Sequence, residues 1–314
     1  MQILLFNFFV YDYILQYIRK ILFQTTHMTT KKIFAIATIS ILLFAFKGDK
    51  AAYKMFDQKG KKSSYAKLLK AVDGADIILF GELHNNPISH WLQLELTQDI
   101  FNTINENLVL GAEMFEADDQ ITINEYLGGY HSYNTFRKEV KVWTNNKTDY
   151  QPLVDFSLSN KLPFIATNLP RRYANIVYKK GFEGLANINN DAKKWIAPLP
   201  IKYDKELPGY KKIVEMAGGH GGDNLPKAQA IKDATMAHFI LKNYRKESTF
   251  IHYNGTYHSN NFEGIAWYLK QVNPDLKIVT IASVEQEKMD SLTEENIGIA
   301  NFVLCIPEAM TKTH

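Results

Sequence analysis

Short apolar runs alternate with amphipathic stretches along most of this chain, and that alternation sets the expected architecture. Asp76–Phe80, Leu108–Met114, Leu162–Ala166, Thr249–Tyr253 and Lys277–Ala282 read as strands, each five to seven residues long and bounded by polar or glycine positions. Between them lie segments with helical spacing. Ser63–Asp73 is a short helix. A second begins at Pro87 and carries Trp91, Leu92, Leu94, Leu96 and Ile100 on its apolar side. Asp118–Leu127, Tyr133–Val142 and Gln151–Asn160 follow; a helix starting at Pro170 carries Arg171 and Arg172. Leu225–Tyr244 is the strongest helical stretch, and another surrounds Ile265–Leu269. Strands separated by helices predict an α/β fold: a mostly parallel sheet flanked by helices. The stretches over roughly 118–150 and 181–224 interrupt this rhythm and predict a small, helical inserted lobe.

Composition narrows the class. With 314 residues and 46% apolar content, the chain can bury a sizeable core. Its net charge of +3 is spread thinly, with no clustered basic stripe, which argues against nucleic acid as a partner. The single cysteine, Cys305, sits in the apolar run Phe302–Ile306 and reads as a buried thiol. One cysteine excludes an internal disulfide and a C-x-x-C metal site. Residues 1–47 read as a signal peptide or N-terminal anchor. Met28-Thr29-Thr30-Lys31-Lys32 gives a basic start, and Ile33–Phe46 an apolar stretch of signal-peptide length. The expected location is the periplasm or cell envelope. No cysteine follows the apolar stretch, so a lipid anchor at that point is not expected.

The chemistry concentrates where the strands end. Gly81-Glu82-Leu83-His84 and Gly255-Thr256-Tyr257-His258 are two copies of G-x-x-H, each closing an apolar strand. Ligands of parallel α/β sheets bind at the carboxyl edge, so the two histidines are expected to meet there despite their separation in sequence. Glu82 and Glu113 end the first two strands, Asn168 the third, and Asn254 the fourth. His84, Glu113 and His258 suit a divalent transition metal; with Glu82 they equally suit acid–base catalysis on water. Glu113 alone could be a salt-bridge partner, and Asn168 and Asn254 could simply cap the helices that follow. His90 reads as support for the site rather than a ligand. Gln229 and Asp233 share a helix face four residues apart and read more readily as an exposed pair than as groups reaching a cleft. His220, in Gly218-Gly219-His220-Gly221-Gly222, belongs either to a linker or to a lid carrying a ligand.

Several of these segments together resemble the ChaN family of haem-binding uptake proteins. They are Ile78–Pro87 with His90, Glu113-Met114-Phe115-Glu116, Tyr150-Gln151-Pro152, Asn168-Leu169-Pro170-Arg171, the helix with Gln229 and Asp233-Ala234-Thr235-Met236-Ala237, and Asn254–His258. They are collinear from about Tyr53 to Val284, within a single ChaN-like domain over 53–314. The resemblance implies an exported protein of haem or iron acquisition. Its partners would be haem, an outer-membrane uptake receptor and, as a homodimer, a second copy of the chain. It implies a tyrosine ligand to haem, for which Tyr130, Tyr133, Tyr150 and Tyr257 are candidates, with His220 as a further haem-binding candidate. It also implies membership of a Tiki-like superfamily whose histidine pairs and glutamate serve metal-dependent hydrolysis, and this keeps a hydrolase using Glu82, His84, Glu113 and His258 as the alternative. A scaffold with a vestigial site is a third class, disfavoured because the polar set is complete.

Overall fold

The structure, a computed structural model, describes residues 15–20, 50–218 and 222–314. The expected signal or anchor over 1–47 lies outside the described residues except for a helical segment at 15–20, and so does His220. Residues 52–314 form one compact unit. Its seven strands are β1 (Lys54–Asp57), β2 (Ile77–Glu82), β3 (Leu108–Glu116), β4 (Phe164–Asn168), β5 (Thr249–Gly255), β6 (Ile278–Gln286) and β7 (Phe302–Pro307). They form one sheet in the order β1-β7-β6-β2-β5-β3-β4, parallel throughout except for β1 against β7. The expected mostly parallel α/β sheet is therefore present.

Burial on both faces explains why the strands are nearly continuous apolar runs. Alternate residues point to opposite faces. Ile78, Phe80, Leu110, Ile251 and Tyr253 face one core, whereas Ile77, Leu79 and Phe250 face the other. The first core is covered by α1 (Tyr65–Val72), α2 (Pro87–Thr103), α3 (Gln120–Leu127), α4 (Tyr133–Glu139), α5 (Asn146–Asp149) and α6 (Gln151–Asn160). The inserted segment from 118 to 150 belongs to this core: Tyr126, Phe136 and Tyr150 pack within it. On the other face lie α7 (Arg171–Lys180), α8 (Pro208–Met216), α9 (Asn224–Asn243) and α10 (Ile265–Val272). Leu185 and Ile196, from the second inserted segment, pack with Val177 and Ile231 of α7 and α9.

Local chemistry sets the entrances to this edge. Asn86 accepts hydrogen bonds from the N–H groups of Ile88 (3.0 Å) and Ser89 (3.4 Å), and Pro87 occupies the first turn, so α2 starts three residues after His84. The helix expected over 133–142 stops at Glu139 because Val140 turns extended, at φ −87° and ψ 137°. Asn168 and Asn254 cap nothing: Pro170 precedes α7, and Asn254 donates to the Gly255 carbonyl and to Ser259 Oγ. Cys305 is buried in β7, as its apolar run predicts.

Candidate functional site

Strand order brings the polar groups together. β5 lies between β2 and β3, with Glu82 opposite Gly255 and Ala112 opposite Tyr253. The ends of three adjacent strands therefore deliver Glu82, Glu113 and Gly255 to one level of the carboxyl edge. Gly255 is needed there because a Cβ on it would stand 2.7 Å from both Cε1 and Nε2 of His84 and 3.5 Å from Glu113 Oε2. The same contacts show that His84 and Glu113 border one point. His258 joins them through Glu113, its Nε2 lying 3.1 Å from Oε1. The two G-x-x-H histidines thus share one edge of the sheet.

Two networks meet at that edge. On one side, both oxygens of the buried Glu82 are committed. Oε1 accepts from Tyr150 Oη (2.8 Å) and His84 Nδ1 (2.9 Å), and Oε2 accepts from Gln93 Nε2 (2.6 Å). His90 supports this side, lying 3.2 Å from Gln93 Oε1 and donating through Nε2 to the His84 carbonyl at 3.2 Å. Burial pulls the His84 pKa down, but its bond to Glu82 and the charges of Glu113 and Glu82 leave it raised overall. The Trp143 ring meets the His84 ring edge-on at 4.9 Å.

On the other side, His258 is clamped between two buried carboxylates. Its Nδ1 donates to Asp233 Oδ1 at 2.5 Å, and Glu113 also accepts the Gly255 N–H at 2.7 Å. The Gln229 amide lies 2.9 Å from the same Nδ1. Gln229 and Asp233, expected as an exposed pair, instead turn inward; Asp233 is 1% exposed. Burial opposes charge on His258, yet Glu113 and Asp233 outweigh it and push its pKa up to about 10. Burial also opposes ionisation of Glu113, and His258 overrides it, holding that carboxyl well below the usual range. Desolvation dominates at Asp233 and raises its pKa. Behind them, His252 is neutral: burial lowers its pKa to about 4, and its ring nitrogens bond Thr167 Oγ1 (2.7 Å) and Asn254 Oδ1 (3.1 Å).

The structure gives no support to the divalent metal expected on His84, Glu113 and His258, since both nitrogens of His258 are turned to carboxylates. Among the described residues, no group of three or more histidine, cysteine, aspartate or glutamate side chains is arranged to hold a metal ion.

The His258 clamp has a pH signature. Below pH 6.5 both folded and unfolded chains hold the proton and the stabilisation is complete. As pH rises towards 10 the unfolded chain releases it first, and stability declines through that interval. Urea midpoints measured from pH 6 to 10 should fall steadily, and His258→Gln should flatten the fall. An equally steep fall in the variant would assign the effect elsewhere.

An open cleft of about 1170 Å³ adjoins the edge and shares Glu113 and Trp143 with it. One wall is β3 with the 141–145 segment; another is α7 and α9, contributing Arg171, Arg172, Tyr178 and Lys232. Arg172 is paired with Asp118 at 2.7 Å and Lys141 with Glu116 at 3.4 Å. Arg171 and Lys232 make no ion pair among the described residues. Asn145 and Asn168 each present to the cleft region a buried Oδ1 without a hydrogen-bond partner.

The candidate tyrosines lie elsewhere. Tyr150 is buried against Glu82, Tyr130 is 84% exposed, Tyr257 is half-exposed, and Tyr133 packs at the rim of the first core. None lines the cleft, whereas Tyr178 does. Sequence reasoning passed over Tyr178, Trp143, Asn145, Lys232 and His314. Only position in the fold singles them out.

Comparison with known proteins then places the chain. A family model described as haem-binding uptake, Tiki superfamily, ChaN, matches residues 68–269. Among solved structures, ChaN of Campylobacter jejuni, described as binding heme cofacially, is 18% identical, with 80% of this chain and 96% of that one covered and a TM-score of 0.60. A succinoglycan biosynthesis protein is 9% identical over 77% of this chain and 90% of that one, with a TM-score of 0.46. A mutant of the erythromycin esterase EreC in its open conformation is 11% identical, covering 75% and 77%, with a TM-score of 0.43. No curated protein matches the sequence.

Proposed function

We propose that this chain, which belongs to the haem-binding uptake family ChaN of the Tiki superfamily, binds haem in the cleft beside the His84/His258 edge. The observation that carries this reading is the cleft's combination of size, aromatic surface and unpaired cations. Haem is a broad flat ring with two carboxylates, and its iron takes an axial ligand from tyrosine or histidine. Trp143 and Tyr178 supply aromatic surface, and Arg171 and Lys232 supply cations without carboxylate partners. Tyr178 is the phenol on the cleft wall and would serve as the tyrosine ligand. The bound iron would supply the group's own redox and ligand chemistry; the protein's part is to hold the ring and neutralise its carboxylates.

The His84/His258 edge acts as an adjoining polar wall. Haem handling in this reading takes place in the periplasm or cell envelope within iron uptake, with an outer-membrane receptor and a second copy of the chain as partners. Fractionation of cells expressing the full chain tests the location, and recovery in the cytoplasm would refute it.

The direct test is titration of the purified full chain with hemin, followed by the Soret band. A saturable Soret shift is expected. Arg171→Glu with Lys232→Glu should weaken binding about tenfold or more, each lost charge-assisted contact being worth on the order of 1 kcal/mol. His84→Ala should leave most of the binding intact. A wild-type protein that produces no shift ends the haem reading.

A further inference from the structure

The segment after β7 returns across the carboxyl edge and brings His314 to the cleft. It is fastened along the way. Glu308 N–H donates to the Gln286 carbonyl (3.1 Å) and Met310 N–H to the Pro307 carbonyl (2.9 Å). Met310 packs on the first core. Lys312 pairs with Glu285, whose same oxygen accepts from Asn86 Nδ2 at 2.7 Å. Thr313 is held twice, its N–H donating to the Asn85 carbonyl (2.9 Å) and its Oγ1 to Asp149 Oδ2 (2.7 Å). Asp149 is buried, and the same oxygen accepts from Asn145 Nδ2 at 2.6 Å.

The residue that follows these fastenings is His314. It is exposed, lines the cleft, and its ring has no hydrogen-bond partner among the described residues. Among the residues lining the cleft, His314 is the sole histidine and Tyr178 the sole tyrosine. Imidazole is a strong ligand to haem iron.

We infer that His314, held in place by the Thr313 clamp, supplies an imidazole ligand to the iron of haem bound in this cleft. The inference rests on the haem reading above and adds a residue to it. The clamp also links the ligand to the shell of His84, because Asn145 donates both to Asp149 and, at 2.8 Å, to the His84 carbonyl.

The test compares full-length wild type, His314→Ala and Thr313→Ala by hemin titration, ferric absorption spectra and electron paramagnetic resonance. His314 is exposed, so its replacement leaves the fold intact, and circular dichroism verifies this. The wild type should show a spectrum with nitrogen ligation. His314→Ala should lose that signature and bind hemin about tenfold more weakly, with the signature restored by added free imidazole. Thr313→Ala should fall between the two. If the wild type binds hemin and His314→Ala has the same spectrum and affinity, the inference fails while the haem reading stands. Tighter binding in His314→Ala also overturns it, because the tail would then be a cover and not a ligand. Absence of any Soret shift in the wild type overturns both.

Discussion

Replacing His258 with alanine is expected to destabilise the protein by about 3–5 kcal/mol, because it strands two buried carboxylates. Glu113 and Asp233 are 6% and 1% exposed, and His258 is the cation between them. Without it, the Gly255 N–H and the Tyr210 hydroxyl, at 2.7 Å from Glu113 and 3.1 Å from Asp233, are their remaining named donors. Neither is charged. Two buried anions would have to take up protons or open the fold to water. Urea unfolding at pH 7 measures the loss, and Asp233→Asn combined with His258→Ala should recover part of it by removing one of the stranded charges. A loss below about 1 kcal/mol for His258→Ala would show that the clamp adds little to stability.

Gly264→Ala should cost about 3 kcal/mol or more, combining left-handed backbone strain with overpacking. Gly264 has φ +53°, and a Cβ there would run into the backbone carbonyl of His258, with its carbon at 2.9 Å and Asp233 Cγ at 3.4 Å. Backbone cannot swing aside as a side-chain tip can, so relief must come from moving His258 itself. Gly298→Ala is the matched control: φ is +86°, but nothing lies within 4 Å of the added carbon. It should show the conformational cost alone, about 1–2 kcal/mol. Thermal unfolding of both variants separates the terms, and equal losses would remove the steric argument.

Periodicity reached the inner strands because both sheet faces are buried, leaving five- to seven-residue apolar runs that stand out from their surroundings. β1 is only four residues long and half-covered, KMFD, and its pattern carries no signal of a strand. The two G-x-x-H turns were legible because glycine and histidine recur at strand exits. The partners of His258 were harder to judge. Helical spacing places Gln229 and Asp233 on a common face, but α9 is buried around most of its circumference, from Ala228 and Ala230 to Thr235 and Ala237. Periodicity therefore cannot say which face turns inward. His314 and Asn145 depend on where a tail and a loop happen to lie, which no local pattern encodes. The family resemblance implies a tyrosine ligand without fixing its position, and of the candidates Tyr150 packs in the first core beside Tyr126 and Phe136.

The position of β5 also bears on how the molecule comes into being. The strand that fills the place between β2 and β3 is the fifth to be synthesised. A nascent chain that has reached β4 carries β2 and β3 with a gap between them, and with it two open strand edges able to recruit other chains. Closure must wait until residue 255 has emerged, and the pairings it makes are long-range, a topology that folds slowly and is exposed to aggregation meanwhile. Glu82, His84 and Glu113 are therefore all made before the element that brings them together, so this polar edge is completed only after β5 has inserted between β2 and β3.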